Sequence, residues 1–115
     1  MTPALREVML AAEAAGALAG PEVRTGSAEH PVCGDRCEVD CRLEGTTIAA
    51  VAWRAEGCPA TMAVAAALHG AVCGEDAAAA GAALAQRIAT LGGLAAVERH
   101  ALALVQRALA EAAGA

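Results

Sequence analysis

Two short motifs and one distant histidine carry residue types that bind metal. They are Pro31-Val32-Cys33-Gly34-Asp35, Glu56-Gly57-Cys58-Pro59-Ala60, and His100. Thiolate, carboxylate and imidazole are the protein ligands of zinc and of transition metals generally. In the first motif Gly34 permits an unusual backbone angle, so the Cys33 thiol and the Asp35 carboxylate can turn toward one point. The plainer reading of the same residues is a turn entering a strand. In the second motif Cys58 opens a predicted helix. The free N–H groups and partial positive charge of a helix start favour thiolate, the nucleophilic and metal-binding form; the plainer reading is a buried cap. His100 falls on the Val97, Ala101 and Leu104 face of a predicted helix and is expected to point inward. A lone inward histidine is more often a hydrogen-bonded core residue than a ligand. Here, thiol and carboxylate groups without another role weigh toward a ligand.

The remaining cysteines separate by distance. Cys37 and Cys41 continue the spacing of four from Cys33 and share one face of a predicted strand. A strand rises ~3.3 Å per residue, so successive members stand ~13 Å apart. Two thiolates on one zinc lie only about 4 Å apart, given Zn–S bonds of ~2.3 Å. Cys37 and Cys41 alternate with Val39 and Leu43 and read as small core residues. Cys73 closes the helix that Cys58 opens, ~22 Å away along a helix rising ~1.5 Å per residue, and reads as structural. His30 and His69 are expected to be solvated, in a loop and near a helix end.

The elements that must position these groups follow from pattern. Pro3 to Ala19 predicts a helix, capped by Thr2 and stopped at Gly20-Pro21. Residues 22–31 read as a loop with at most a short extended segment. Arg36 to Leu43 alternates with period two, Cys37, Val39, Cys41 and Leu43 on one side, which predicts a strand with one buried face. After the turn at Glu44-Gly45-Thr46, Ile48 to Arg54 forms the second arm of an antiparallel hairpin. Helices are predicted from Pro59 to Leu68 or beyond, from Asp76 to Thr90, and from Leu94 to Ala112, with Val97, Ala101, Leu104, Val105 and Ala108 as the inward stripe of the last. The order of helix, strands, then helices predicts an α+β domain spanning residues 1–115. Helices would cover one face of a small antiparallel sheet of about three strands.

Composition excludes several function classes. The chain has no Phe or Tyr and a single Trp, Trp53, so an aromatic stacking platform for single-stranded nucleic acid is missing. Net charge is −5 and the arginines are scattered, which argues against a phosphate-binding face. No stretch reaches the ~18 uncharged apolar residues of a membrane span. Arg6, Glu7 and Glu13 interrupt any apolar leader core. A cytoplasmic location is therefore expected. Five cysteines in a reducing compartment point to metal or thiol chemistry before disulfides.

At these motifs the sequence resembles the IscU/NifU/SufU family of iron–sulfur cluster assembly scaffolds. The likeness rests on Pro31-Val32-Cys33-Gly34-Asp35 ahead of a hairpin, Glu56-Gly57-Cys58-Pro59-Ala60 opening a helix, and His100 in the C-terminal helix. It covers roughly Ala28 to Leu109. It implies a non-enzymatic scaffold that holds a [2Fe–2S] cluster, iron or zinc at Cys33, Asp35, Cys58 and His100. It also implies partnership with a cysteine desulfurase and apo-protein acceptors, in a monomer or weak homo-oligomer. One position departs from the pattern. Ala101 stands where the family has a third cysteine, in IscU-type members a principal sulfur acceptor. The remaining set is still tetrahedral in number and suits zinc or a mixed-ligand cluster. An alternative is therefore a degenerate paralogue that binds zinc or a desulfurase without assembling clusters. An enzyme with Cys58 as nucleophile and His100 as base ranks last, because no oxyanion or pocket motif accompanies the pair.

Overall fold

A computed structural model of the chain describes residues 1–114. It is an α+β arrangement in which three antiparallel strands, in the order β1-β2-β3, carry helices on one face. The strands are β1 (Arg24–Glu29), β2 (Arg36–Glu44) and β3 (Thr47–Glu56). The helices are α1 (Pro3–Ala11), α2 (Pro59–Ala66), α3 (Leu68–Val72), α4 (Ala80–Thr90) and α5 (Arg99–Ala113).

The β2–β3 hairpin follows the sequence pattern. Val39 faces Trp53 and Cys41 faces Val51 across the ladder, and all four are buried. The other face of β2 carries Arg36, Glu38, Asp40 and Arg42. Helix α5 lies across β1 and β2, and α2 and α3 lie against β3. Leu5, Val39, Ile48, Val64, Leu68, Leu84, Leu104 and Leu109 fill the space between sheet and helices. Alanines at 60, 63, 101, 108 and 112 are buried too, so the helices approach closely on small side chains.

Three predicted boundaries move, the first two because a tertiary contact overrides a local preference. Residues 24–29, read as loop, form strand β1. Its core-facing positions are Gly26 and Ala28, opposite Val39 and Cys37, and small residues there leave no hydrophobic alternation to detect. Gly26 is small because α5 crosses it: a Cβ at Gly26 would fall 2.1 Å from the Ala108 carbonyl oxygen. Helix α1 ends at Ala11, well before Ala19. Ala12 and Ala14 turn left-handed, at φ 47° and 65°, and the chain then joins the open edge of β3. There the Trp53 N–H donates to the Ala14 carbonyl (3.2 Å), and the Gly16 N–H donates to the Trp53 carbonyl (2.9 Å). The last helix starts at Arg99 rather than Leu94, after a 3-10 turn over Ala96–Glu98. Val97 lies in that turn and is 83% exposed, so it is no part of the inward stripe. Among the described residues no helix is long and apolar enough to cross a membrane.

Candidate metal centre

The β1–β2 connection, the start of α2 and the start of α5 converge at one end of the sheet. Cys33 sits exposed in the connection, and Gly34 beside it adopts φ +73°, a left-handed conformation glycine takes without strain. Asp35 follows at the mouth of β2 and is 3% exposed. The loop closes on itself: the His30 N–H donates to the Asp35 carbonyl (2.8 Å), and the Gly34 N–H to the His30 carbonyl (3.0 Å).

Asp35 is the hub. Its Oδ1 accepts the Cys58 N–H at 3.2 Å, and its Oδ2 accepts the Thr61 hydroxyl at 2.9 Å and the His100 Nε2–H at 3.2 Å. The carboxylate thus satisfies the N–H of Cys58, the N-cap of α2, whose own side chain caps no N–H of the helix. Burial would raise the Asp35 pKa. Hydrogen bonds from the Cys58 thiol, the Thr61 hydroxyl, the Cys58 N–H and His100 outweigh it and hold the group at about 2. Asp35 is a carboxylate at any physiological pH, so it accepts and His100 Nε2 carries the shared proton.

Gly57 makes this packing possible. Its φ is +129°, and a Cβ there would stand 2.1 Å from Asp35 Oδ1. Glycine at position 57 is therefore a steric requirement of the Asp35 position as well as of the turn.

Cys33, Asp35 and His100 each offer a ligand atom within 4.8 Å of the other two. The Cys58 Sγ lies 3.5 Å from His100 Nε2 and 3.5 Å from Thr61 Oγ1. All four residues singled out from sequence gather at this end of the sheet. Ligands of one tetrahedral zinc stand about 3.3–4 Å apart, so the donor atoms of Cys33, Asp35 and His100 need only close in slightly to share an ion, and Cys58 joins that group through His100 Nε2. The other thiols are elsewhere. Cys37 and Cys41 are buried in the core under the helices, and burial pushes their pKa values up to about 12 and about 11. Cys73 ends α3, and its pKa is raised by burial and by Glu13.

The sequence profile of the NifU-like N-terminal domain matches residues 7–115. The chain belongs to that family. Two solved structures show the same NifU-like fold. One is a protein described as the iron–sulfur cluster assembly scaffold for the SUF system of the thermophile Fervidobacterium islandicum AW-1. It superposes with a TM-score of 0.76 at 14% identity, over 98% of this chain and 96% of that one. The other is the N-terminal part of a nitrogen-fixing NifU-like protein from Brucella abortus, with a TM-score of 0.63 at 18% identity, over 96% and 81% of the two chains. No curated protein sequence matches significantly.

Two residues of this NifU-like site escaped the sequence reading. Thr61 is fully buried and ties Asp35 to α2; its signal was a hydroxyl three residues after the N-cap. His30 was expected in solvent. It is half-buried, its ring set edge-on against His100 with centroids 5.3 Å apart. His69 is exposed, as expected, and its Nδ1 pairs with Glu13.

Proposed function

We propose that the chain is an iron–sulfur cluster assembly scaffold or carrier, with Cys33, Asp35, Cys58 and His100 as the groups that hold its cargo. Family membership supports the general role. The observation that carries the assignment to this site is the buried Asp35 carboxylate, which brings Cys58, Thr61 and His100 into one hydrogen-bonded set beside the exposed Cys33. The cargo would be a [2Fe–2S] cluster or iron, received with sulfur from a cysteine desulfurase and passed to apo-proteins. Two thiols, an imidazole and a carboxylate form a mixed set. An oxygen ligand is a weaker partner for iron than a thiolate, which suits release over storage. His100 Nε2–H donates a hydrogen bond to Asp35, so a metal at that nitrogen would take the proton's place. No turnover chemistry is part of this proposal.

One observation favours a second reading. Ala101, at the position of the family's third cysteine, is 0% exposed at the start of α5, and no other thiol stands in for it, since Cys37 and Cys41 are locked in the core. The second reading is a zinc-holding paralogue that binds a desulfurase or scaffold in a regulatory role.

Anaerobic reconstitution with iron, cysteine and a desulfurase separates the two. A cluster chromophore in visible absorption, lost in Cys33→Ser and Cys58→Ser and kept in Cys41→Ser, is expected of the scaffold. Stoichiometric zinc with no chromophore supports the second reading. Purified protein free of metal that also takes up neither iron nor zinc overturns both.

A further inference from the structure

We propose that His30 is a positioning residue of the metal centre, which sets the Cys33 thiol and braces His100 without itself binding metal. The inference rests on the site reading above. Three backbone N–H groups of the 30–35 loop depend on this one residue. The Gly34 N–H donates to the His30 carbonyl at 3.0 Å, and the Val32 and Cys33 N–H groups both donate to His30 Nδ1 at 3.3 Å. The His30 N–H in turn donates to the Asp35 carbonyl at 2.8 Å. The loop that offers Cys33 is otherwise exposed and carries no packed apolar anchor, Val32 being 88% exposed. What orders it is therefore this wiring. The same ring stands edge-on to His100, so it limits how that imidazole can swing.

The tautomer excludes the simplest competing role, a histidine that replaces the missing cysteine as a ligand. A neutral imidazole that accepts N–H groups at Nδ1 keeps its proton on Nε2. Neither nitrogen then has a free lone pair for a metal while the loop is in this conformation. The bonding pattern is that of an Asx turn, in which a side-chain acceptor at one position takes the N–H groups two and three residues later. Asn Oδ1 sits at the same number of bonds from Cα as His Nδ1. Asparagine should reproduce the loop wiring without an imidazole, and alanine should not.

The test uses the full chain with His30→Ala and His30→Asn. In metal-free protein, NMR amide exchange at Val32 and Cys33 is expected to speed about tenfold or more in His30→Ala and to stay near wild type in His30→Asn. Thermal melting of the metal-free variants shows whether the fold is retained. In titrations with Co²⁺, His30→Ala is expected to bind about 10–100-fold more weakly, the range for residues that orient metal ligands. His30→Asn should restore affinity with the wild-type cobalt spectrum. Unchanged amide exchange in His30→Ala overturns the proposal. So does loss of a nitrogen ligand from the cobalt spectrum in both variants, which would make His30 a ligand. If wild type takes no Co²⁺ at all, the site reading fails, while the amide exchange still decides the role of His30 in the loop.

Discussion

The Asp35 carboxylate accepts hydrogen bonds from the starts of two helices, α2 and α5, and therefore works as a joint before it works as a ligand. A carboxylate held at about 2 stays charged, and a buried charge is tolerable only while its partners remain. The residue that admits it is Gly57. We expect Gly57→Ala to destabilise the fold by about 1–3 kcal/mol, because it combines a strained positive φ with a direct clash on Asp35 Oδ1. It should also weaken cobalt binding more than a distant substitution of equal stability cost. Chemical denaturation and metal titration on the same variant check both parts; a Gly57→Ala protein with wild-type metal affinity would show that Asp35 does not set the site. The thiols divide just as sharply. Only the thiolate reacts with disulfide reagents, and burial lifts Cys37 and Cys41 to about 12 and 11. Native-state thiol titration at neutral pH should count Cys33 as fast and leave Cys37 and Cys41 silent until denaturant is added. Rapid labelling of Cys41, followed by mass spectrometry of peptides, would contradict the packing.

At the scale of elements, β1 and α5 form one unit. Helix α5 carries His100 in its first turn and covers Gly26 with its C-terminal half, so the small residue in β1 sets the height of the helix over the sheet. Adding a methyl at Gly26 would drive a carbon to 2.1 Å from the Ala108 oxygen and 2.5 Å from the Ala112 nitrogen. Neither backbone atom can swing aside. Gly26→Ala is expected to cost about 2–3 kcal/mol by overpacking and to displace α5, with His100 moving relative to Asp35. A fall in denaturation midpoint together with a changed His100 resonance in NMR is the expected result; a wild-type midpoint would mean that α5 does not press on β1. This pairing also explains what the sequence made legible. The β2–β3 hairpin was readable because Cys37, Val39 and Cys41 alternate with charged residues. Cys33, Asp35, Cys58 and His100 were readable because their types are rare in combination. Strand β1 was not, because a strand packed under a helix backbone needs Gly26 and Ala28 on its inner face, and those residues look like a loop. The early end of α1 was hidden for a similar reason. Alanines 11, 12, 14 and 15 favour helix locally, and only the open edge of β3, distant in sequence, draws them out. His30 was hidden because a side chain accepting its own loop's N–H groups leaves no periodic trace.

Across the whole molecule, a second buried carboxylate ties the sheet's open face to the segment that follows α1. Asp40 accepts the Thr25 hydroxyl of β1 at 2.7 Å, the Leu18 N–H at 3.1 Å, and a two-pronged bond from Arg54 of β3 at 3.0 and 3.1 Å. Burial would raise its pKa, and the bonds from Arg54, Thr25 and Leu18 overcome that and lower it. A carboxylate whose folded pKa lies below its unfolded value of about 3.9 leaves the native state with fewer bound protons than the unfolded state as pH falls. Its stabilisation is therefore complete above the unfolded value and is lost as pH drops toward and through the lower folded value. Asp35, held at about 2, acts in the same direction. The urea midpoint is thus expected to be flat between about pH 8 and 5 and to fall steeply below about pH 4. Asp40→Asn removes one of the two contributions. It should cost about 1–3 kcal/mol at neutral pH, the cost of leaving hydrogen-bond partners of a buried group unmet, with Arg54 half-exposed and able to recover water. Its midpoint should then fall less between pH 5 and 3 than that of wild type. Parallel acid profiles for the two proteins would mean that Asp40 is not the carboxylate that couples this fold to pH.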